Sequence, residues 1–101
     1  MPSVDPNSPA FVANPAFKKA ADESGQLTKR PTDDELLELY GLFKVGLGDN
    51  FAAAEKPGMF NLKEKYKYQS WEKFAVTESL SQEQAQEKYI AKVEELKSKY
   101  A

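Results

Sequence analysis

Two groups of residues in this sequence combine lysines with aromatic rings at helical spacing. Tyr40 and Lys44 stand four residues apart, and three lysines and two tyrosines crowd the segment from Lys63 to Tyr68. Lys63 and Lys67 would share a helix face, where they repel each other unless an anion or a carboxylate lies between them. Lysines suit phosphate as point charges, a tyrosine hydroxyl adds a neutral donor, and an aromatic ring can stack on a nucleobase.

The segment around Tyr40 and Lys44 is richer in leucine than a helix with one buried face requires. The extra apolar surface could form a groove for an alkyl chain. A ligand with a phosphorylated nucleotide at one end and a fatty chain at the other would use all three features. Each feature also has a purely structural interpretation: a lysine extending past an aromatic ring at the core edge, a solvated charged face, and a thicker core.

The composition argues against most catalytic chemistry. The 101 residues include no cysteine and no histidine, which disfavours disulfides, thiol nucleophiles, catalytic triads and most zinc sites. We therefore expect no enzyme and no metal.

A net charge of −2 gives no general attraction to nucleic acids. No apolar run approaches the roughly 20 residues that span a bilayer, and the first residues lack a signal peptide's features. We expect a cytoplasmic protein without stable membrane insertion.

The apolar spacing predicts an all-α fold of four helices, because no segment alternates with the period of a strand. The predicted starts are Asn14 before a proline, the capping box of Thr32 and Glu35, Asn61, and the capping box of Ser81 and Gln84. Three prolines among the first nine residues oppose a helix. We therefore expect residues 1–13 to form an extended arm and residues 14–101 to form the folded domain.

Several strings in a fixed order carry a family resemblance. The segment Leu39-Tyr-Gly-Leu-Phe-Lys-Val-Gly-Leu-Gly-Asp49 is followed by Lys56-Pro-Gly-Met-Phe, by Lys63-x-Lys-Tyr-Lys-Tyr-x-x-Trp71, and by Ala85-x-x-x-Tyr-Ile-x-x-Val-Glu-Glu-Leu96. They resemble, in order, the central signature, the basic-Pro-Gly loop, the third-helix motif and the last helix of acyl-CoA-binding proteins. The resemblance covers residues 15–101.

This resemblance implies an up-down-down-up bundle of four helices that binds medium- to long-chain acyl-CoA thioesters one at a time. It implies a monomeric carrier and pool former of acyl-CoA, without a cofactor. The implied contacts to the CoA head group are Tyr40, Phe43, Lys44, Lys67 and Tyr89, with Tyr89 on the adenine and Lys44 and Lys67 on the 3′-phosphate. The implied acyl groove has the matching positions Phe17, Ala21, Leu36 and Leu37.

The chain departs from the family pattern at positions that bear on the ligand. Phe43 stands where many members have a tyrosine, which removes one hydroxyl group from the head-group site. Gly25 stands where the family often has a lysine, and Lys29 or Arg30 could take over the role of that lysine. Residues 75–80 look like an insertion between the last two helices.

Two other functions remain open from the residues alone. An acyl-CoA-metabolising enzyme could contain this domain as a fused or degenerate part. Alternatively, the leucine-rich face could dock a partner helix, with the lysines as a rim.

Overall fold

The protein is all-helical over the part of the chain that the structure, a computed structural model, describes, namely residues 8–58 and 60–100. The five α-helices of these residues are α1 (Pro9–Ala13), α2 (Pro15–Ser24), α3 (Asp33–Gly46), α4 (Leu62–Glu72) and α5 (Gln82–Tyr100). A 3-10 turn at Phe51–Ala53 lies between α3 and α4, and a π-helical segment at Lys73–Thr77 continues α4. The predicted all-α class is confirmed. No helix within the described ranges has the length and apolarity needed to cross a membrane.

The predicted capping boxes set the starts of two long helices. At α3, the Glu35 N–H donates to Thr32 Oγ1 over 3.2 Å, and the Thr32 N–H donates to Glu35 Oε1 over 2.9 Å. At α5, the corresponding distances between Gln84 and Ser81 are 3.1 Å and 2.9 Å. Each box satisfies two backbone donors that the first helical turn leaves without partners. Both starts depend on local residues only, which is why the sequence predicts them.

Contacts between helix ends give the direction of each helix. Asn14 at the start of α2 donates to Gln86 near the start of α5, and Glu23 at the end of α2 pairs with Lys97 near the end of α5. These two helices are therefore parallel. The end of α3 approaches the start of α5, because the Gln86 side chain donates to the Gly46 carbonyl over 2.8 Å. Helices α3 and α5 are therefore antiparallel.

The opposite ends of α3 and α5 meet at Glu35. Its carboxylate accepts from the Tyr100 hydroxyl over 2.6 Å and from Lys99 Nζ over 3.0 Å. The Tyr100 hydrogen bond, followed by the Thr32 N–H and Lys99, lowers the pKa of Glu35 to about 2. These contacts confirm that α3 runs antiparallel to α5.

Helices α3 and α4 run in the same direction and approach closely. The Ser70 hydroxyl donates to the Leu37 carbonyl, while Gly41, one turn later on α3, lies against Ser70 and Phe74. A Cβ atom at Gly41 would lie 2.6 Å from Phe74 Cδ2 and from the Ser70 carbonyl oxygen, so a glycine is needed there. With α2 parallel to α5, this direction completes the up-down-down-up order of α2, α3, α4 and α5.

The core lies between α2, α3 and α5. The largest fully buried side chains all come from these helices: Phe17, Leu39, Phe43, Tyr89, Val93 and Leu96. On α3, Leu39 and Phe43 face this core, whereas the leucines at positions 36 and 37 stay half-buried beside it. One face of α3 therefore fills the core, and another remains for a groove.

The expectation of an extended arm is wrong for residues 9–13, which form α1. Pro9 occupies the first turn, where its missing N–H costs no hydrogen bond. Phe11 is 6% exposed, and its ring centroid lies 5.4 Å from that of Phe17 and 6.1 Å from that of Phe43. Burial of this ring favours a helix that the prolines alone argue against. Residues 1–7 of the expected arm lie outside the described residues, and the domain boundary stays a prediction.

Candidate binding site

Tyr40 stands between two cavities on the side of α3 that faces α4. The larger, which we call the apolar groove, has a volume of about 1000 Å³. The smaller, which we call the polar cavity, has a volume of about 410 Å³. Tyr40 lines both. A ligand that touches this ring can therefore extend in either direction along α3.

The apolar groove owes its floor to the second face of α3. Leu36 and Leu37 lie one turn before Tyr40; both line the groove and neither belongs to the buried core. Leu27 adds a further apolar side chain from the connection before α3, and Tyr66 adds one from α4. This wall is apolar enough to accept hydrocarbon.

The rim of the apolar groove carries an excess of positive charge. Arg30, Lys63 and Lys67 line it together with a single carboxylate, Asp33. Arg30 Nη2 lies 3.2 Å from Asp33 Oδ1, and both side chains are largely exposed. The groove thus joins an apolar floor to a cationic edge, which suits an amphiphilic anion.

Lys67 connects the rim to Tyr40. Its Nζ atom lies 4.8 Å from the centroid of the Tyr40 ring and 3.5 Å from Glu64 Oε1. The pair with Glu64 is long and formed within one helix turn, so it is a weak ion pair. Its ammonium group is therefore available to an anion beside the Tyr40 ring.

Lys44 is held more firmly in the polar cavity. Its Nζ atom lies 2.6 Å from Asp49 Oδ2 and 4.7 Å from the centroid of the Trp71 ring. A turn after α3 brings the carboxylate back, since Gly48 has a φ of 83° and the Asp49 N–H donates to the Lys44 carbonyl over 3.2 Å. Glycine adopts this φ without strain. The turn therefore supplies Lys44 with its own anion.

An aromatic wall supports Lys44 from the α4 side. Phe51, from the 3-10 turn, packs against Tyr68 and Trp71 at centroid distances of 4.9 Å and 5.1 Å. Tyr68 and Trp71 both line the polar cavity. The wall adds cation–π attraction to the ion pair that Lys44 makes.

The structure brings five of the nine predicted site residues to the two cavities. Four line the apolar groove, and Lys44 lines the polar cavity. Ala21 is half-buried against the core. Phe17, Phe43 and Tyr89 lie inside the core with at most 1% exposure. Their predicted contacts with a ligand would need surface that these side chains do not expose.

Tyr89 reaches the groove only through another side chain. Its hydroxyl donates to Ser24 Oγ over 3.1 Å, and Ser24 lines the apolar groove. Burial raises the pKa of Tyr89 to about 12, although the Ser24 hydrogen bond opposes that effect. Tyr89 is therefore a neutral donor that fixes the Ser24 hydroxyl.

Several residues that line the two cavities are absent from the predicted site. Lys63 and Tyr66 line the apolar groove and belong to the lysine- and tyrosine-rich segment. The composition of that segment is therefore a signal by which the sequence can identify them. Arg30 lines the groove while Lys29 is exposed outside it, so Arg30 is the better placed of the two basic residues to act for a lysine at position 25. The pairing of Asp49 with Lys44 depends on the turn at Gly48 and has no comparable signal.

Comparisons with known proteins agree with one another. The family model described as "Acyl CoA binding protein" matches residues 14–93. The "Acyl-CoA-binding protein homolog" of Drosophila melanogaster is 49% identical over 86 residues, which cover 84% of this chain and 94% of that protein. "Acyl-CoA-binding protein 2" of Saccharomyces pastorianus is 45% identical, with 84% and 93% covered. The crystal structure of Oryza sativa Acyl-CoA-Binding Protein 2 has a TM-score of 0.71 at 32% identity, with 84% and 90% covered.

Proposed function

Because the chain belongs to the acyl-CoA-binding protein family, we propose that it binds medium- to long-chain acyl-CoA thioesters and carries them. The observation that supports this most directly is the apolar groove with its cationic rim and Tyr40 at one end. Such a groove offers hydrocarbon and phosphate one continuous surface. A carrier needs no bond-making chemistry, so the proposal includes no catalysis.

The acyl chain occupies the apolar groove in this proposal. Leu27, Leu36 and Leu37 replace its contact with water, and each buried methylene contributes about 0.8 kcal/mol. Affinity should therefore rise with chain length until the groove is filled. Phe17 and Ala21 support the helices behind this wall.

The nucleotide end lies along Tyr40, with Lys67 as its first cation. Charge-assisted hydrogen bonds from a lysine to a phosphate are stronger than neutral ones. Lys44 contributes once the phosphate competes with Asp49, which lies 2.6 Å away. Phe43 and Tyr89 serve from the core, Phe43 by supporting α3 and Tyr89 through Ser24.

Isothermal titration calorimetry with palmitoyl-CoA, CoA and palmitate tests the proposal. We expect one palmitoyl-CoA per chain, and far weaker binding of CoA and palmitate because each offers only half of the contacts. Equal affinity for palmitate and palmitoyl-CoA would contradict it. Binding of a protein helix in the groove, unaffected by saturating palmitoyl-CoA, would favour the interaction module instead.

The oligomeric state, location and lack of catalysis form separate parts of the proposal. The carrier acts as a monomer, as the resemblance implies, and its proposed location is the cytoplasm. Light scattering measures the first property, and imaging of a labelled chain measures the second. A thioester hydrolysis assay with palmitoyl-CoA should show no turnover above the rate without protein.

A further inference from the structure

An exposed apolar patch lies at the start of α4, beside the apolar groove. Phe60 is 94% exposed, Leu62 57% and Tyr66 53%. Leu62 and Tyr66 are one helical turn apart and share a face, and Phe60 lies just before the helix. We call these three residues the α4 patch. Three large apolar side chains within seven positions are more than scattered surface exposure explains.

Two lysines flank the α4 patch. At about 100° per residue, Lys63 and Lys65 lie on opposite sides of the line through Leu62 and Tyr66. Neither makes an ion pair within the described ranges. Glu64 lies on the other side of the helix, where it pairs with Lys67. The patch is therefore apolar at its centre and positive at both edges.

This arrangement fits an anionic bilayer surface. Apolar side chains of such a face enter the headgroup boundary, while flanking lysines contact anionic lipids. The net charge of the chain is −2, yet nine of its 14 lysines and arginines lie at or beyond Lys56. At the patch itself, Lys63 and Lys65 give a local charge opposite to that of the whole chain.

The α4 patch is continuous with the binding groove. Tyr66 belongs to the patch and lines the groove, as does the flanking Lys63. A bilayer in contact with the α4 patch would therefore lie at the edge of the apolar groove. A bilayer is where an acyl chain resides when it is not in the groove, so a bilayer-binding surface gains from lying next to the groove. A protein partner would gain nothing from this position.

We propose that the α4 patch docks reversibly on anionic phospholipid bilayers, with Phe60 and Leu62 in the headgroup boundary and Lys63 and Lys65 on lipid phosphates. The docking needs no bound ligand. Its consequence, that acyl chains enter and leave the groove at the bilayer, depends on the proposed function.

Vesicle co-sedimentation of the full chain, without acyl-CoA, tests the docking. One set of vesicles is phosphatidylcholine, and the other contains equal parts of phosphatidylcholine and phosphatidylserine. We expect binding to the second set only, decreasing as salt screens the charges. Phe60→Ser with Leu62→Ser should weaken it about tenfold or more because less apolar surface is buried, and Lys65→Gln about fivefold.

Two matched variants control for exposed apolar area and for charge. Val76→Ser removes apolar surface outside the patch, at a residue that is 55% exposed. Lys88→Gln removes the charge of an exposed lysine on α5. Both should bind vesicles like the unmodified chain. Equal binding by the patch variants and these controls would overturn the proposal, as would equal binding to both vesicle types.

A calorimetric titration separates this proposal from the proposed function. Phe60→Ser with Leu62→Ser should keep the affinity for palmitoyl-CoA in solution, because neither residue lines the apolar groove or the polar cavity. Transfer of palmitoyl-CoA from the charged vesicles to this variant should be slower. If the unmodified chain bound the vesicles but not palmitoyl-CoA, the docking would stand and the carrier function would fail.

Discussion

Eight aromatic side chains of the bundle form two clusters with different surroundings. The buried cluster consists of Phe11, Phe17, Phe43 and Tyr89, whose exposures are 6% or less. The open cluster consists of Tyr40, Phe51, Tyr68 and Trp71. It borders the polar cavity, and Lys44 and Lys67 lie over two of its rings. The buried cluster joins helices, whereas the open cluster presents rings and cations to a cavity.

Helix α3 contributes to both clusters from a single turn. Tyr40 and Lys44 are four residues apart and share the open face, while Phe43 turns toward Phe17 and Tyr89 at centroid distances of 5.6 Å and 5.5 Å. A motif that is continuous in sequence therefore divides between stability and binding. Substitutions at its positions should separate these two properties.

The largest expected effect is on stability, in the buried cluster. Phe43→Ala should lower the free energy of unfolding by about 3–5 kcal/mol, because it leaves a cavity among aromatic rings. Urea unfolding followed by circular dichroism measures this. Tyr40→Ala is the comparison in the open cluster, and its loss should be much smaller. If Phe43→Ala kept its stability but lost palmitoyl-CoA binding, Phe43 would belong to the site.

The next largest effect is on binding, in the open cluster. Lys67→Ala should weaken palmitoyl-CoA binding about ten- to hundredfold, the range for a hydrogen bond to a charged group. Calorimetry measures the change, and Lys73→Ala, on the π-helical continuation of α4, is the matched control. The loss should vanish for S-palmitoyl-pantetheine, which has no phosphate. An equal loss for both ligands would show that Lys67 acts through the helix and not through a phosphate.

Tyr89 tests whether a residue of the buried cluster serves the groove. Tyr89→Phe should cost about 0.5–1.5 kcal/mol of stability for the hydrogen bond to Ser24, measured by thermal unfolding. The raised pKa of Tyr89, about 12, keeps the hydroxyl protonated in the folded state. Its contribution is present below pH 10 and is lost as the pH rises toward 12, so the difference between the two chains should shrink over that interval.

Binding by the same variant decides the role of the hydroxyl. Unchanged palmitoyl-CoA affinity would place Tyr89 among the purely structural residues. A loss that Ser24→Ala reproduces would show that the hydroxyl acts through Ser24. A loss that Ser24→Ala does not reproduce would require direct contact with the ligand.

The sequence predicts the local features of both clusters but not their separation. The capping boxes at Thr32 and Ser81 depend on residues three apart, so helix starts follow from the chain alone. Whether Tyr40 or Phe43 faces a cavity depends on where α4 and α5 pack. The same holds for α1, because its prolines are visible in the sequence while the pocket that buries Phe11 requires the assembled helices.

The smallest effect concerns the two lysines of the open cluster. Lys44 lies 2.6 Å from Asp49, whereas Lys67 lies 3.5 Å from Glu64, so a phosphate meets more competition at Lys44. Asp49→Asn removes the charge and keeps an acceptor of the same shape. Since a partly exposed ion pair contributes about 0.2–1 kcal/mol, this variant should bind palmitoyl-CoA up to about fivefold more tightly. Glu55→Gln removes an equal charge from the polar cavity without a contact to Lys44, and it should gain less. A weaker affinity of Asp49→Asn would mean that the carboxylate positions Lys44 for the phosphate, and an equal gain in both variants would mean that only the total charge of the cavity matters.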